Sequence, residues 1–372
     1  MDLRLTNSGA PITAARAEAF RIPTDSPEAD GTFAWEATTL VVVHVEAGGE
    51  TGLGYTYADT GVVAVVQDLL AKAIAQGDCF DVPGCWLAMQ RRVRNQGRSG
   101  LAACAISAID AALWDLKAKL LDAPLARLLG RCRDRVPIYG SGGFTSYSDA
   151  QLRAQLSGWV ERDGCRAVKM KIGSEPERDP ERIAQARSAI GNAALFVDAN
   201  GAFSVKQALA LLDRCADADI RWFEEPVTSD DLPGLRLMRE RAPMDIAAGE
   251  YTYTSDDARR MLASNAVDVL QADATRCGGI TGFLQVGALC EAHHIDLSGH
   301  CAPAIHRHAA CAVPRLRNLE WFHDHVRIEH MLFDGAPIAR DGAIEPDLSR
   351  PGLGLTFKRQ DAERFRIGGG PR

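Results

Sequence analysis

Arg166-Ala167-Val168-Lys169-Met170-Lys171-Ile172 is followed by a stretch that opens at Asp179-Pro180, carries Ile183, Ala186 and Ile190 on one face and stops at Gly191; then comes Ala194-Leu195-Phe196-Val197-Asp198. A short apolar run, an amphipathic helix and a second apolar run make one βα unit of a parallel sheet. Asp179 reads as the N-cap of the helix and Pro180 as its first residue. Outward from this unit the pattern recurs. Candidate strands fall at 136–140, 166–172, 194–198, 220–224, 244–249, 267–273, 295–299 and 319–322. Eight such units close into a cylinder, so the expected fold class is α/β, a modified TIM (β/α) barrel.

The flanks read differently. Residues 38–45 form a β-branched strand before a turn at 48–52, and helices follow at 63–75 and 102–121. Polar, proline-containing 23–31 is expected to be a mobile loop. After Val326, Asp341-Gly342 marks a hairpin turn and Pro351-Gly352-Leu353-Gly354 a tail. The expected organisation is an α+β capping domain over 1–130, a catalytic barrel over 131–325 and a segment at 326–372 that packs on the cap.

The 372 residues are 46% apolar and 24% charged, which excludes disorder and fibrous repeats. A net charge of -7 without long runs of one sign makes nucleic acid and anionic membranes unsuitable partners. No secretory signal stands in residues 1–20, and the apolar run 39–45 is too short to span a bilayer. The ten cysteines include no C-x-x-C pair. Buried thiols in a reducing cytoplasm are expected.

Chemistry lies at the strand ends. Lys171, Asp198, Glu224, Glu250, Asp273, His300 and Glu320 each follow the last by one βα unit. The C-terminal ends of barrel strands share one mouth, so these seven groups should converge. Alternation turns Lys169 and Lys171 to the face opposite Val168 and Met170, and inward lysines are too costly without anions beside them. Asp198, Glu224 and Glu250 lie on consecutive strands. Buried together they require a cation, and an all-oxygen set suits Mg²⁺. Asn200, two residues past Asp198, faces the same side and suits a ligand hydroxyl. Asp273 beside His300 orients an imidazole for proton transfer. His306, His308, His323, His325 and His330 fit packing roles, although His323 and His325 lie just past the eighth strand, within reach of substrate.

Lys169-Met170-Lys171, Asp198-Ala199-Asn200, Glu224-Glu225-Pro226, Gly249-Glu250, Asp273 before Gly278-Gly279-Ile280-Thr281-Gly282, and His300 together resemble the mandelate racemase subgroup of the enolase superfamily. The likeness extends over nearly the whole chain. It implies a Mg²⁺ enzyme that abstracts the proton α to a substrate carboxylate, with Lys171 and His300 as bases and Glu320 as a hydrogen-bond donor to the substrate carboxylate if protonated. Lys169 is expected to depress the Lys171 pKa by like-charge proximity. Dehydration of a sugar acid is the favoured outcome, with epimerisation or cycloisomerisation second. The family implies a homo-oligomer. Residues 23–35 and 51–57 are expected to close the mouth. Two rivals stand against this: a zinc hydrolase using His306-Arg307-His308 or His323-Asp324-His325, and a non-catalytic binding protein on the same fold.

Overall fold

The computed structural model describes residues 9–367. Eight parallel strands form the barrel: β4 (Val136–Gly142), β5 (Ala167–Lys171), β6 (Ala194–Asp198), β7 (Ile220–Glu224), β8 (Asp245–Ala248), β9 (Val269–Ala272), β10 (Asp296–Gly299) and β11 (Leu316–Phe322). Each pairs with the next, and β11 pairs back to β4, which closes the cylinder. Inside it, below the mouth, Tyr139, Phe196, Trp222, Ala247 and Val269 pack into an apolar floor. Two residues further along the strands, alternation brings charged groups to the same interior. Phe196 lies beneath Asp198, and Trp222 beneath Glu224.

The cap is an antiparallel sheet of β1 (Ile12–Ala29), β2 (Ala34–Ala47) and β3 (Glu50–Tyr57), backed by the helix Leu101–Leu120. Gly52 and Gly54 let β3 touch that helix. A Cβ on Gly52 would stand 2.0 Å from the Ala112 carbonyl oxygen, and one on Gly54 2.1 Å from that of Ala108. The stretch 23–31 is not a free loop, contrary to expectation. It extends β1 as a long hairpin with β2, its register shifting between Pro23 and Glu28. Proline is tolerated there because an irregular ladder asks for fewer N–H donors. Hydrogen bonds from Thr145 Oγ1 to the Asp30 carbonyl (2.8 Å) and from Ser146 Oγ to the Pro27 carbonyl (2.6 Å) dock the hairpin on the barrel.

Asp179 is also displaced from its expected role: the helix spans Asp179–Ala189 with Arg178 at the N-cap, and the Asp179 carboxylate accepts from Gly173 N at 2.9 Å. Beyond residue 326 the chain serves both bodies. β12 (Phe333–Asp334) pairs with β14 (Thr356–Phe357), β13 (Ala343–Ile344) adds to β4, and β15 (Arg366–Ile367) adds to β1. The Asp341-Gly342 turn is present, both residues having positive φ. All ten cysteines are free thiols, only Cys132 being exposed. Among the described residues no helix is long and apolar enough to cross a membrane.

Candidate active site

Lys169 is fully buried in the barrel, its Nζ 2.5 Å from Glu224 Oε1, 2.8 Å from Glu320 Oε1 and 3.4 Å from Asp198 Oδ2. Lys171 Nζ lies 2.5 Å from Asp198 Oδ2. The two inward lysines thus have the anions that their burial demands. Burial lowers the Lys171 pKa and so does Lys169, but Asp198 and its neighbouring carboxylates outweigh both, leaving it above the ordinary lysine value. This corrects the expectation of a depressed Lys171: here Asp198 spends its charge on the ammonium.

His300 Nδ1 lies 2.9 Å from Asp273 Oδ2, and its Nε2 lies 3.1 Å from Glu250 Oε2. Burial opposes a charge on the ring, yet Cys301, Glu250, Glu320 and Asp273 together raise its pKa well above the usual histidine value. Asp273 also accepts from Thr275 N and Oγ1, both at 2.7 Å, which fixes the carboxylate.

Glu320 sits within β11 and accepts from Ser141 Oγ (2.5 Å) and Cys301 N (3.0 Å). Burial would raise its pKa, but Lys169 and His300 hold it well below the carboxylate range. With Ser141 and Lys169 donating to Oε1 and Cys301 N to Oε2, Glu320 stands here as an acceptor, unlike the protonated donor expected of it. Asp198 and Glu224 end β6 and β7 and Glu250 lies two residues past β8, and their oxygens do not all lie within 4.8 Å of one another. Among the described residues the sets that do are His300–Cys301–Glu320 and Asp25–Glu28–His323. Ion pairs with Lys171, Lys169 and His300 have turned the three carboxylates toward separate partners.

Negative charge nevertheless remains in excess. Burial and Asp198 push Glu224 up to about 8, and burial with Glu250, Asp198 and Glu224 alongside raises Glu225 well above its usual value. Glu225 Oε1 and Asn200 Oδ1 are buried with no hydrogen-bond partner. Crowded carboxylates and orphaned acceptor oxygens fit a hard divalent cation.

Pattern reasoning missed Glu225, Cys301 and Arg276. Glu225 and Cys301 adjoin Glu224 and His300 in sequence, where alternation would point them outward. Both have positive φ, 37° and 50°, as does Asn200 at 47°. The left-handed backbone just past the strand ends turns these side chains into the mouth. Arg276 lies 3.5 Å from Glu250 and 3.6 Å from Asp273.

A cavity of about 340 Å³ joins barrel and cap. Lys171, Asn200, Glu250, His300 and Glu320 line it from below, and Asp30, Phe33, Trp35 and Tyr57 from above. The hairpin thus closes the mouth as expected, whereas of 51–57 only the end at Tyr57 reaches it. His325 lines the same cavity, stacked on Tyr57 at 3.5 Å between ring centroids. His306 and His308 bond to backbone groups at 2.8–3.2 Å, and His323 pairs with Asp25, so none of the three belongs to a zinc cluster with its neighbouring histidine.

A closed barrel whose mouth gathers a lysine pair, a histidine–aspartate pair and a run of carboxylates defines a class of acid–base enzyme. Residues 21–130 match the mandelate racemase / muconate lactonizing enzyme N-terminal domain, and 151–362 match the enolase C-terminal domain-like family. The chain belongs to this mandelate racemase/muconate lactonizing branch of the enolase superfamily. It is 32% identical to the 3,6-anhydro-α-L-galactonate cycloisomerase of Streptomyces coelicolor, over 96% of this chain and all of that one. A mandelate racemase/muconate lactonizing enzyme-like protein from Rubrobacter xylanophilus superposes with a TM-score of 0.94 at 49% identity, covering 96% of this chain and 100% of its own. L-Talarate dehydratase from Polaromonas sp. JS666, complexed with Mg and L-glucarate, superposes at 0.87 with 31% identity, covering 98% and 100%.

Proposed function

We propose that the chain removes the α-proton of a sugar acid in a Mg²⁺-dependent reaction and expels the β-hydroxyl, giving a 2-keto-3-deoxy acid. The observation that carries this reading is the arrangement of the mouth. Lys171 on β5 and His300 after β10, held by Asp273, stand three strand steps apart around the ring, with Asp198, Glu224 and Glu250 on the longer arc between them.

Asp198, Glu224 and Glu250 would hold Mg²⁺, with Asn200 free to bind a substrate hydroxyl. Bound there, the ion withdraws electron density from the substrate carboxylate and so acidifies the adjacent C–H. Lys169, fully buried, adds fixed positive charge where proton loss makes the carboxylate dianionic. Lys171, whose neutral amine burial and Lys169 favour and whose ammonium Asp198 and its neighbouring carboxylates favour, would take the α-proton in its neutral form. The electron pair of that C–H bond forms the double bond as the β-carbon–oxygen bond breaks. His300, kept protonated against Asp273, gives its proton to the departing hydroxyl, which leaves as water. The enol then becomes the 2-keto acid.

Full-length likeness to a cycloisomerase favours isomerisation as the second reading, with the same two groups moving protons and no loss of water. A panel of aldonates, aldarates and their lactones, assayed with Mg²⁺ for semicarbazide-reactive keto acids and by NMR, separates the two. Keto acid supports dehydration; isomers alone overturn it. Chelation should abolish turnover and added Mg²⁺ restore it. Glu224→Gln should cost at least about a hundredfold, and undiminished activity would remove Glu224 from the ion site.

A further inference from the structure

His300 Nε2, Cys301 Sγ and Glu320 Oε2 make a triangle with edges of 3.3 Å (Nε2–Sγ), 3.2 Å (Sγ–Oε2) and 3.6 Å (Nε2–Oε2). Tetrahedral zinc binds sulfur at about 2.3 Å and nitrogen or oxygen at about 2.0–2.1 Å, so its ligand atoms stand roughly 3.3–3.6 Å apart. The three edges lie within about 0.4 Å of such a face, so small side-chain shifts bring the atoms onto it. Nothing in a strand pattern foretells this, because consecutive residues point apart; positive φ at Cys301 and Ala302, 50° and 41°, brings Sγ beside the imidazole.

The surroundings suit a metal. His300 Nδ1 is held by Asp273 at 2.9 Å, the carboxylate support that orients metal-bound imidazoles. Glu320 is fixed by Ser141 and by Cys301 N, while Lys169 takes its other oxygen at 2.8 Å. All three ligand residues are buried and line the cavity, which supplies an entry path and space for a fourth ligand. A thiol with an imidazole selects Zn²⁺ over Mg²⁺, the reverse of the all-oxygen set on β6 to β8.

We propose that His300, Cys301 and Glu320 form a second cation site, specific for thiophilic Zn²⁺, whose occupation blocks the reaction by taking His300 Nε2. Site and blockade are separable: the blockade rests on the function proposed above, and the site does not. On binding, the thiol releases its proton to solvent and Glu250, 3.1 Å from Nε2 in this structure, is released from the ring.

The test titrates the full-length chain, saturated with Mg²⁺, with Co²⁺ as a spectroscopic probe and then with Zn²⁺. The expected result is one Co²⁺ per chain with a thiolate-to-cobalt charge-transfer band, bleached by Zn²⁺ and lost in Cys301→Ser. Zn²⁺ should bind that variant at least tenfold more weakly. Cys301→Ala provides the same readout if the serine variant does not fold. No charge-transfer band in the wild type, or an equal band in the variants, overturns the site. A band that behaves as expected while Zn²⁺ leaves turnover unchanged upholds the site and overturns the blockade, and with it the assignment of His300 as a proton carrier.

Discussion

Each charged residue in the mouth owes its state to named neighbours, so single substitutions read out those dependences. Asp273 orients His300 through Nδ1: without its charge the imidazolium loses a 2.9 Å partner and the ring is free to rotate. Asp273→Asn should lower turnover by about 10²- to 10⁴-fold with little change in KM, and should shift the basic limb of the pH–rate profile downward. Glu28 offers a stability test. Its Oε2 accepts from Trp35 Nε1 at 2.8 Å, and burial, with Asp324 adding to it, pushes the carboxyl up from 4.5 to about 9. The folded chain thus keeps a proton that the unfolded chain releases above 4.5, and stability declines as pH rises from there toward 9. Glu28→Gln should flatten that decline, measured as Tm against pH, by an amount worth up to a few kcal/mol. At this scale the strand-end residues Lys171, Asp198, Glu224, Glu250, Asp273 and His300 were legible because strand ends recur with the βα unit. Glu225 and Cys301 were not, because a left-handed backbone overrides alternation and no residue type announces it.

Elements followed the same division. β6 and β7 fall where their apolar runs end in an acid, since a buried parallel strand is specified locally by its own residues. The hairpin 12–47 was half hidden. Pro23 to Gly31 reads as loop because its partners, Thr145 and Ser146 on the barrel, lie more than a hundred residues away. Packing between elements rests on close backbone approach, at Gly54 above all. Gly54→Ala would place its methyl 2.1 Å from the Ala108 carbonyl oxygen, in a contact that only backbone movement relieves. A loss of about 1–3 kcal/mol in urea-unfolding free energy is expected. An unchanged midpoint would show that β3 and the helix are not held so tightly.

Over the whole molecule, cap and barrel are bound through buried polar contacts as well as apolar ones. Ser107 Oγ accepts from Gly278 N and Gly279 N at 2.9 and 3.0 Å, and Asp110 accepts from Thr281 N and Oγ1. Asp115 accepts from Leu53 N in the cap and from Leu353 N near the C-terminus, at 2.8 and 2.7 Å. Asp115→Ala strands both buried amides, each at a cost of about 1–3 kcal/mol. Calorimetry should show a lower Tm with one transition retained; two resolved transitions would mean that the bodies unfold independently. Such long-range contacts were invisible in a sequence where Asp110 and Asp115 look like ordinary helix charges.

Gly31 at the hairpin tip carries a consequence for how this pocket changes its clientele. A Cβ there would meet the Ala199 carbonyl at 2.3 Å and that of Ile172 at 2.6 Å, so the tip sits on the backbone that follows Lys171 and Asp198. Phe33 and Trp35, a few residues on, face the cavity and stack at 6.1 Å. Anchor and sensor thus occupy adjacent stations on one ribbon. Diversification of 33 and 35 with 31 held constant should remodel what is admitted while leaving the reactive apparatus undisturbed, a route for relatives to diverge in diet without reinventing their chemistry.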